Sequence, residues 1–163
     1  MVCWECLFQV LMLLVVANGA PVLADRLWGR RCAGPIDAGL ALPDGRPLFG
    51  RAKTWRGLAA SVAMTVAASG LVGWEWATGT LFALYAMLGD LLSSFLKRRL
   101  NLKESSRARG LDTLPESVLP SLLLKEALGL SWSDIALVAM GFLLIEEWGS
   151  PILYRLRIKK RPY

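Results

Sequence analysis

Four apolar runs, residues 7–24, 58–74, 76–96 and 133–154, set the main constraint on how this chain folds. Each approaches or meets the ~20 residues a helix needs to cross a hydrocarbon core, and carries few charges or none. In 163 residues they leave little sequence for anything else, and the apolar share of 55% exceeds what a soluble globule of this length needs. The expected fold is therefore an all-α integral membrane protein forming a single domain, residues 1–163. The first run has the length of a cleaved signal peptide, but MVCWEC puts no basic stretch before it, so it is read as a retained helix.

Charge fixes the number of helices and their direction. Seven basic residues, Arg26, Arg30, Arg31, Arg46, Arg51, Lys53 and Arg56, lie between the first two runs, and six, Lys97, Arg98, Arg99, Lys103, Arg107 and Arg109, follow the third. Five more, Arg155, Arg157, Lys159, Lys160 and Arg161, follow the last, which makes 18 of the 19. Basic loops stay in the cytoplasm. All three clusters can do so only if the chain crosses once more between Arg109 and Ser133, so residues 114–130 are read as a fifth helix despite Glu116, Lys125 and Glu126. The expectation is a multi-pass cell-membrane protein with its amino terminus outside, its carboxyl terminus inside and two cytoplasmic loops. The net charge of +6 needs no nucleic acid to explain it, since positive-inside loops suffice.

Cys3 and Cys6 form a CxxC, but the chain has no His and only Cys32 besides, too few ligands for zinc. They are read as incidental thiols rather than a disulfide. In the first loop, Pro43-Asp44-Gly45 predicts a hairpin over residues 40–49. Thr113-Leu-Pro-Glu116 fits a capping box opening the fourth helix.

Polar residues interrupt three runs at a shared depth. Asn18 lies eight residues before Arg26, Asp90 seven before Lys97 and Glu146 nine before Arg155. At ~1.5 Å per residue each is roughly 10–14 Å below the cytoplasmic boundary. Buried carboxylates at such depth mark function or pairing, and three polar residues at one level point to a polar cavity open to the cytoplasm. Asp90, Ser93, Ser94, Lys97 and Arg98 share one helical stripe: a carboxylate for Mg²⁺, hydroxyls, then cations for phosphate. The structural alternative is an Asp90–Lys97 packing pair beneath a basic collar. FGRAKTWRGL, residues 49–58, has Ala52 where a phosphate loop needs Gly, so it is not a Walker site, although Lys53, Thr54 and Arg56 remain phosphate candidates.

Together, ANGAPVL (17–23), PIDAG (35–39), DGRPLFGRAKTWRG (44–57), GDLLSSFLKRRL (89–100), the LD of GLDTLPES (110–117) and YRLRIKKRPY (154–163) resemble the CDP-archaeol synthase family, relatives of the phosphatidate cytidylyltransferases. The resemblance implies a five-helix enzyme that joins CTP to a membrane lipid phosphate, using Mg²⁺, to give a CDP-lipid and pyrophosphate. It assigns catalysis to Asp90, Lys97 and Asp112, metal binding to Asp90 and Asp112, and substrate binding to Asn18, Asp37, Lys53, Thr54, Arg56, Ser94 and Arg98. The family's usual Asp-Gln-Leu-Asp is replaced here by Asp112-Thr-Leu-Pro-Glu116. Glu116 either replaces the second acid or caps a helix, and the local pattern favours the cap. The competing classes are a non-catalytic lipid-binding or assembly subunit and a small transporter coupled through Glu146 and Glu147.

Overall fold

The computed structural model describes residues 2–29, 31–102, 108 and 110–155, and only the backbone of residues 150, 152 and 153. Arg30, Lys103, Arg107, Arg109 and the basic tail beyond residue 155 lie outside the described residues. Five helices follow one another: α1 Trp4–Trp28, α2 Trp55–Leu71, α3 Trp76–Arg99, α4 Thr113–Leu123 and α5 Trp132–Arg155. Of these, α1 and α3 are long and apolar enough to cross a membrane. The chain alternates between two ends of one bundle, the loop end with residues 31–54 and the far end where α1 begins.

Helix α1 is the hub. It touches the other four helices, which touch one another in chain order around it. Its stripe of Val10, Leu13, Leu14, Ala17, Ala20 and Ala24 repeats at three and four residues and is buried throughout. Phe82 and Ala86 of α3 and Val138 and Phe142 of α5 pack against it. Pro21 removes the donor that the Ala17 carbonyl would have had within α1. Ser61 of α2 supplies one instead, its Oγ donating to that oxygen at 2.8 Å. An unpaired buried carbonyl carries a penalty of about 1–3 kcal/mol, so the bond both permits the proline and pins α1 to α2.

Helices α3 and α4 meet backbone to backbone. A Cβ on Gly89 would lie 2.2 Å from the Pro115 carbonyl oxygen and 2.7 Å from the Glu116 Cα, so only glycine fits, and Asp90 is delivered beside Glu116. Exposed tryptophans mark both ends: Trp4, Trp76 and Trp132 at the far end, Trp28 and Trp55 at the loop end. Trp4 and Trp28 are about 36 Å apart along α1, more than the ~30 Å hydrocarbon core and less than the ~40–45 Å of a bilayer with its headgroups.

Three local readings change. The helix expected over residues 114–130 is α4, which ends at Leu123, and its 11 residues rise only about 16 Å. Turns over residues 124–129 complete the passage, because Pro120 brings no N–H to the ladder and Gly129 takes a left-handed φ of 62°. No capping box forms at Thr113. Asp112 holds the cap position without a side-chain cap bond, and Glu116 is buried in the bundle. The reciprocal box stands instead at α5, where Asp134 N donates to Ser131 Oγ at 3.2 Å and Ser131 N donates to Asp134 Oδ2 at 2.9 Å. Finally, Cys3 and Cys6, read as separate thiols, form a disulfide. Their spacing of three in the first turn of α1 puts both sulfurs on one side, and the Cys3 N–H donates to Asp134 Oδ1 at 3.2 Å, tying α1 to α5.

Candidate active site

The loop before α2 is a built wall rather than a tether. Ile36 N donates to Lys53 O at 2.8 Å and Trp55 N to Gly34 O at 3.1 Å, so its two ends run side by side. Asp37 fastens its interior: Oδ1 accepts from Gly39 N at 3.0 Å, and Oδ2 from Phe49 N at 3.0 Å and Gly50 N at 2.9 Å. Burial works against the Asp37 charge, but those N–H groups outweigh it and hold its pKa below the ordinary carboxylate value. The hairpin forms as its sequence predicts, with Leu42 N donating to Arg46 O and Leu48 N to Leu40 O, both at 2.9 Å. Its Arg46 Nη1 donates to Arg99 O at 2.6 Å, while Arg99 pairs with Asp44 at 2.5 Å. The hairpin thereby puts a cation on the negative end of α3.

Behind this wall lies a cleft of about 790 Å³. Asn18, Asp90 and Glu146, the three residues expected at one depth, all line it, with Glu116, Lys53, Thr54 and Arg56. Lys53 reaches from the loop to α3, its Nζ 2.5 Å from both Asp90 oxygens. Burial pulls the Lys53 ammonium toward discharge, but Asp90 and, behind it, Glu116 outweigh burial and hold its pKa above the usual lysine value. The Asp90 and Glu116 carboxyls stand within reach of each other. Thr54 is the N-cap of α2, its Oγ1 accepting from Gly57 N at 3.1 Å, so the positive end of that helix opens beside Lys53. Arg56 is a clamp: it donates to Gly29 O at 2.8 Å and Arg31 O at 2.7 Å and pairs with Asp25 at 3.1 Å.

The remaining expected site residues lie outside the cleft lining. Lys97 pairs with Asp112 at 2.5 Å rather than with Asp90, and Asp112 Oδ2 also accepts from Ala108 N at 3.0 Å. Ser94 and Arg98 are buried on the same stripe of α3, next to Ser93, whose Oγ donates to Asp90 O. Asp37 holds the loop. Sequence reasoning gave Arg26 and Arg51 no role beyond topology, yet both line the cleft. Their positions flanking Asn18 and Lys53 in the chain were the available signal.

A divalent cation fits this donor set through substrate. Among the described residues no three His, Cys, Asp or Glu side chains come together to hold a metal. Two carboxyls within reach of each other at Asp90 and Glu116 need either a shared proton or a cation between them. Mg²⁺ is commonly held by one or two carboxylates with the remaining positions taken by water and substrate phosphates, which matches what is present.

Comparison with known proteins places the chain in a family. It is 38% identical to the CDP-archaeol synthase of Aeropyrum pernix, over 91% of this chain and 86% of that one. Against the CDP-archaeol synthase of Pyrobaculum arsenaticum it is 35% identical over 91% of this chain and 92% of the other. A solved intramembrane enzyme of archaeal membrane lipid biosynthesis matches with a TM-score of 0.68 and 31% identity, over 83% of this chain and 89% of that one. The CarS-like CDP-archaeol synthase family model matches residues 4–163. The chain therefore belongs to the CDP-archaeol synthase family of membrane-embedded, CTP-dependent cytidylyltransferases acting on a lipid phosphate.

Proposed function

We propose that this single domain transfers CMP from CTP to an archaeol-type lipid phosphate, giving a CDP-lipid and pyrophosphate, with the amino terminus outside and the cleft open to the cytoplasm. The observation that carries the reading is the cross-helix set Lys53–Asp90–Glu116 at a cleft large enough for a nucleotide. Lys53 and Lys97 each stand paired with a carboxylate, and an arriving phosphate is a competing anion for both. The triphosphate takes Lys53 and the amino-terminal end of α2, freeing Asp90. Lys97 and Arg98 receive the β- and γ-phosphates, freeing Asp112, while Ser94 and Asn18 offer hydroxyl and amide contacts. Asp90 and Glu116, joined by Asp112 once Lys97 has moved, would hold Mg²⁺, which when bound neutralises phosphate charge and aligns the triphosphate. The lipid phosphate oxygen attacks the α-phosphorus, the bond from the α-phosphorus to the bridging oxygen breaks, and pyrophosphate leaves with that oxygen. Most of the rate comes from positioning and charge, and none of the cysteines takes part.

Purified protein given labelled CTP, Mg²⁺ and a panel of ether-, ester- and isoprenoid-linked phosphates should move label into the lipid phase, with the ether lipid preferred. No transfer to any acceptor overturns the reading. The orientation rests on the basic loops and is supported by the disulfide at the far end, which suits an oxidising face. A cysteine introduced beside Asp44 should resist an impermeant reagent in intact cells, and labelling there would reverse the topology.

A further inference from the structure

Two polyanions must meet in the reaction proposed above, and each needs cations of its own because their phosphates repel one another. The cleft floor can serve only one. It holds Lys53 among three acids, Asp90, Glu116 and Glu146. Along α1 the lining runs from Asn18 up to Arg26, eight residues or about 12 Å of helix. Arg26 on the last turn of α1 and Arg51 in the turn before α2 both line the cleft, and both are exposed.

Arg26 lies two residues before Trp28 and Arg51 four before Trp55, and both tryptophans are exposed at helix ends. Such tryptophans sit at headgroup level, the plane to which a lipid's phosphate is confined and a soluble nucleotide is not. A guanidinium fork suits a phosphate monoester, and Pro21, Val22 and Leu58 give the cleft an apolar wall below it. We propose that Arg26 and Arg51 form the subsite that captures the phosphate of the lipid acceptor, separately from the nucleotide. This inference rests on the cytidylyl-transfer reading.

The test is steady-state kinetics with a short-chain, dispersed lipid phosphate. The Arg26→Gln/Arg51→Gln double variant should raise KM for the lipid phosphate about tenfold or more, with kcat and KM for CTP within about twofold of wild type. Inorganic phosphate should compete with the lipid phosphate in the wild type and lose that competition in the variant. A matching rise in KM for CTP, competition against CTP alone, or no change in either KM overturns the proposal. If thermal melting finds the double variant unfolded, Arg51→Gln alone, in an exposed turn, should still raise the lipid KM severalfold, and an unchanged value overturns it equally. A wild-type enzyme that labels no lipid at all defeats the reading of the reaction instead, so the two failures are distinct.

Discussion

The far end and the loop end both bury polar side chains, but they use them differently. At the far end such groups serve backbone N–H and C=O groups and a neutral indole N–H. Asp134 caps α5 and takes the Cys3 N–H, while Gln9 accepts from Trp74 Nε1 at 2.9 Å and donates to Val72 O. At the loop end, charges from different elements face one another: Lys53 with Asp90, Lys97 with Asp112. Backbone partners are permanent, because the fold itself holds them. Side-chain ion pairs in a partly dry cleft add little net stability, since desolvation offsets attraction, but each member can exchange its partner for a ligand of the same sign. Charges paired with one another across elements are therefore the better guide to function here than polar burial alone.

The sharpest way to break that contrast is Asp90→Asn, nearly isosteric but neutral. It should lower CDP-lipid formation about a hundredfold or more while the melting temperature stays close to wild type. A variant that turns over normally but melts early would make the Lys53–Asp90 pair structural, like the far end. Next in size is Glu116→Gln, expected to lower turnover about tenfold and to raise the Mg²⁺ needed for half activity, because an amide is a poor Mg²⁺ ligand. Thr113→Ala is its control. Since no capping box forms there, it should leave both quantities unchanged, and a loss equal to that of Glu116→Gln would return Glu116 to a local helical role.

Much of this was legible in the chain, and the exceptions have a common cause. The five helices and the hairpin at Asp44-Gly45 follow from local period and turn chemistry, and Asn18, Asp90 and Glu146, expected at one depth, line one cleft. Partner choice does not. Asp90 and Lys97 looked like neighbours along α3, yet Asp90 meets Lys53, 37 residues away, because the loop folds onto the helix. Glu116 resembled a cap because Thr-x-x-Glu is the right pattern, and only the crossing at Gly89 turns it toward Asp90. Ser131-Trp-Ser-Asp134 carried the same signature and does form the box. Asp37, expected to bind substrate, is occupied by the loop's own N–H groups.

Asp37 belongs to the loop end but behaves like the far end, which makes it the test of where the boundary runs. Its folded pKa lies below the unfolded one, so its contribution is complete above the unfolded value near 3.8 and disappears as pH falls through the folded value. The wild type should therefore lose melting temperature more steeply than Asp37→Asn between about pH 5 and 3, as ionised Asp37 loses its charge. At neutral pH the variant should show a lower melting temperature and a severalfold loss of activity through a loosened wall, with KM for CTP affected little. Parallel acid curves would mean that the carboxylate does not hold the loop.

The smallest effect should come from the far end itself. Ser131→Ala removes the hydroxyl that caps Asp134 N and donates to Asp134 Oδ2, while the Ser131 and Cys3 backbone N–H groups keep the carboxylate in place. Losing a cap of this kind lowers stability by about 1 kcal/mol. Turnover per folded molecule, both KM values and the Mg²⁺ requirement should stay at wild-type levels, because the change lies across the bundle from the cleft and leaves α1, which joins the two ends, seated in its core. The check is a melting curve run beside the kinetics on one preparation. If kcat falls while stability hardly moves, the far end is coupled through α1 to the chemistry, and the division between a structural end and an exchanging end is wrong.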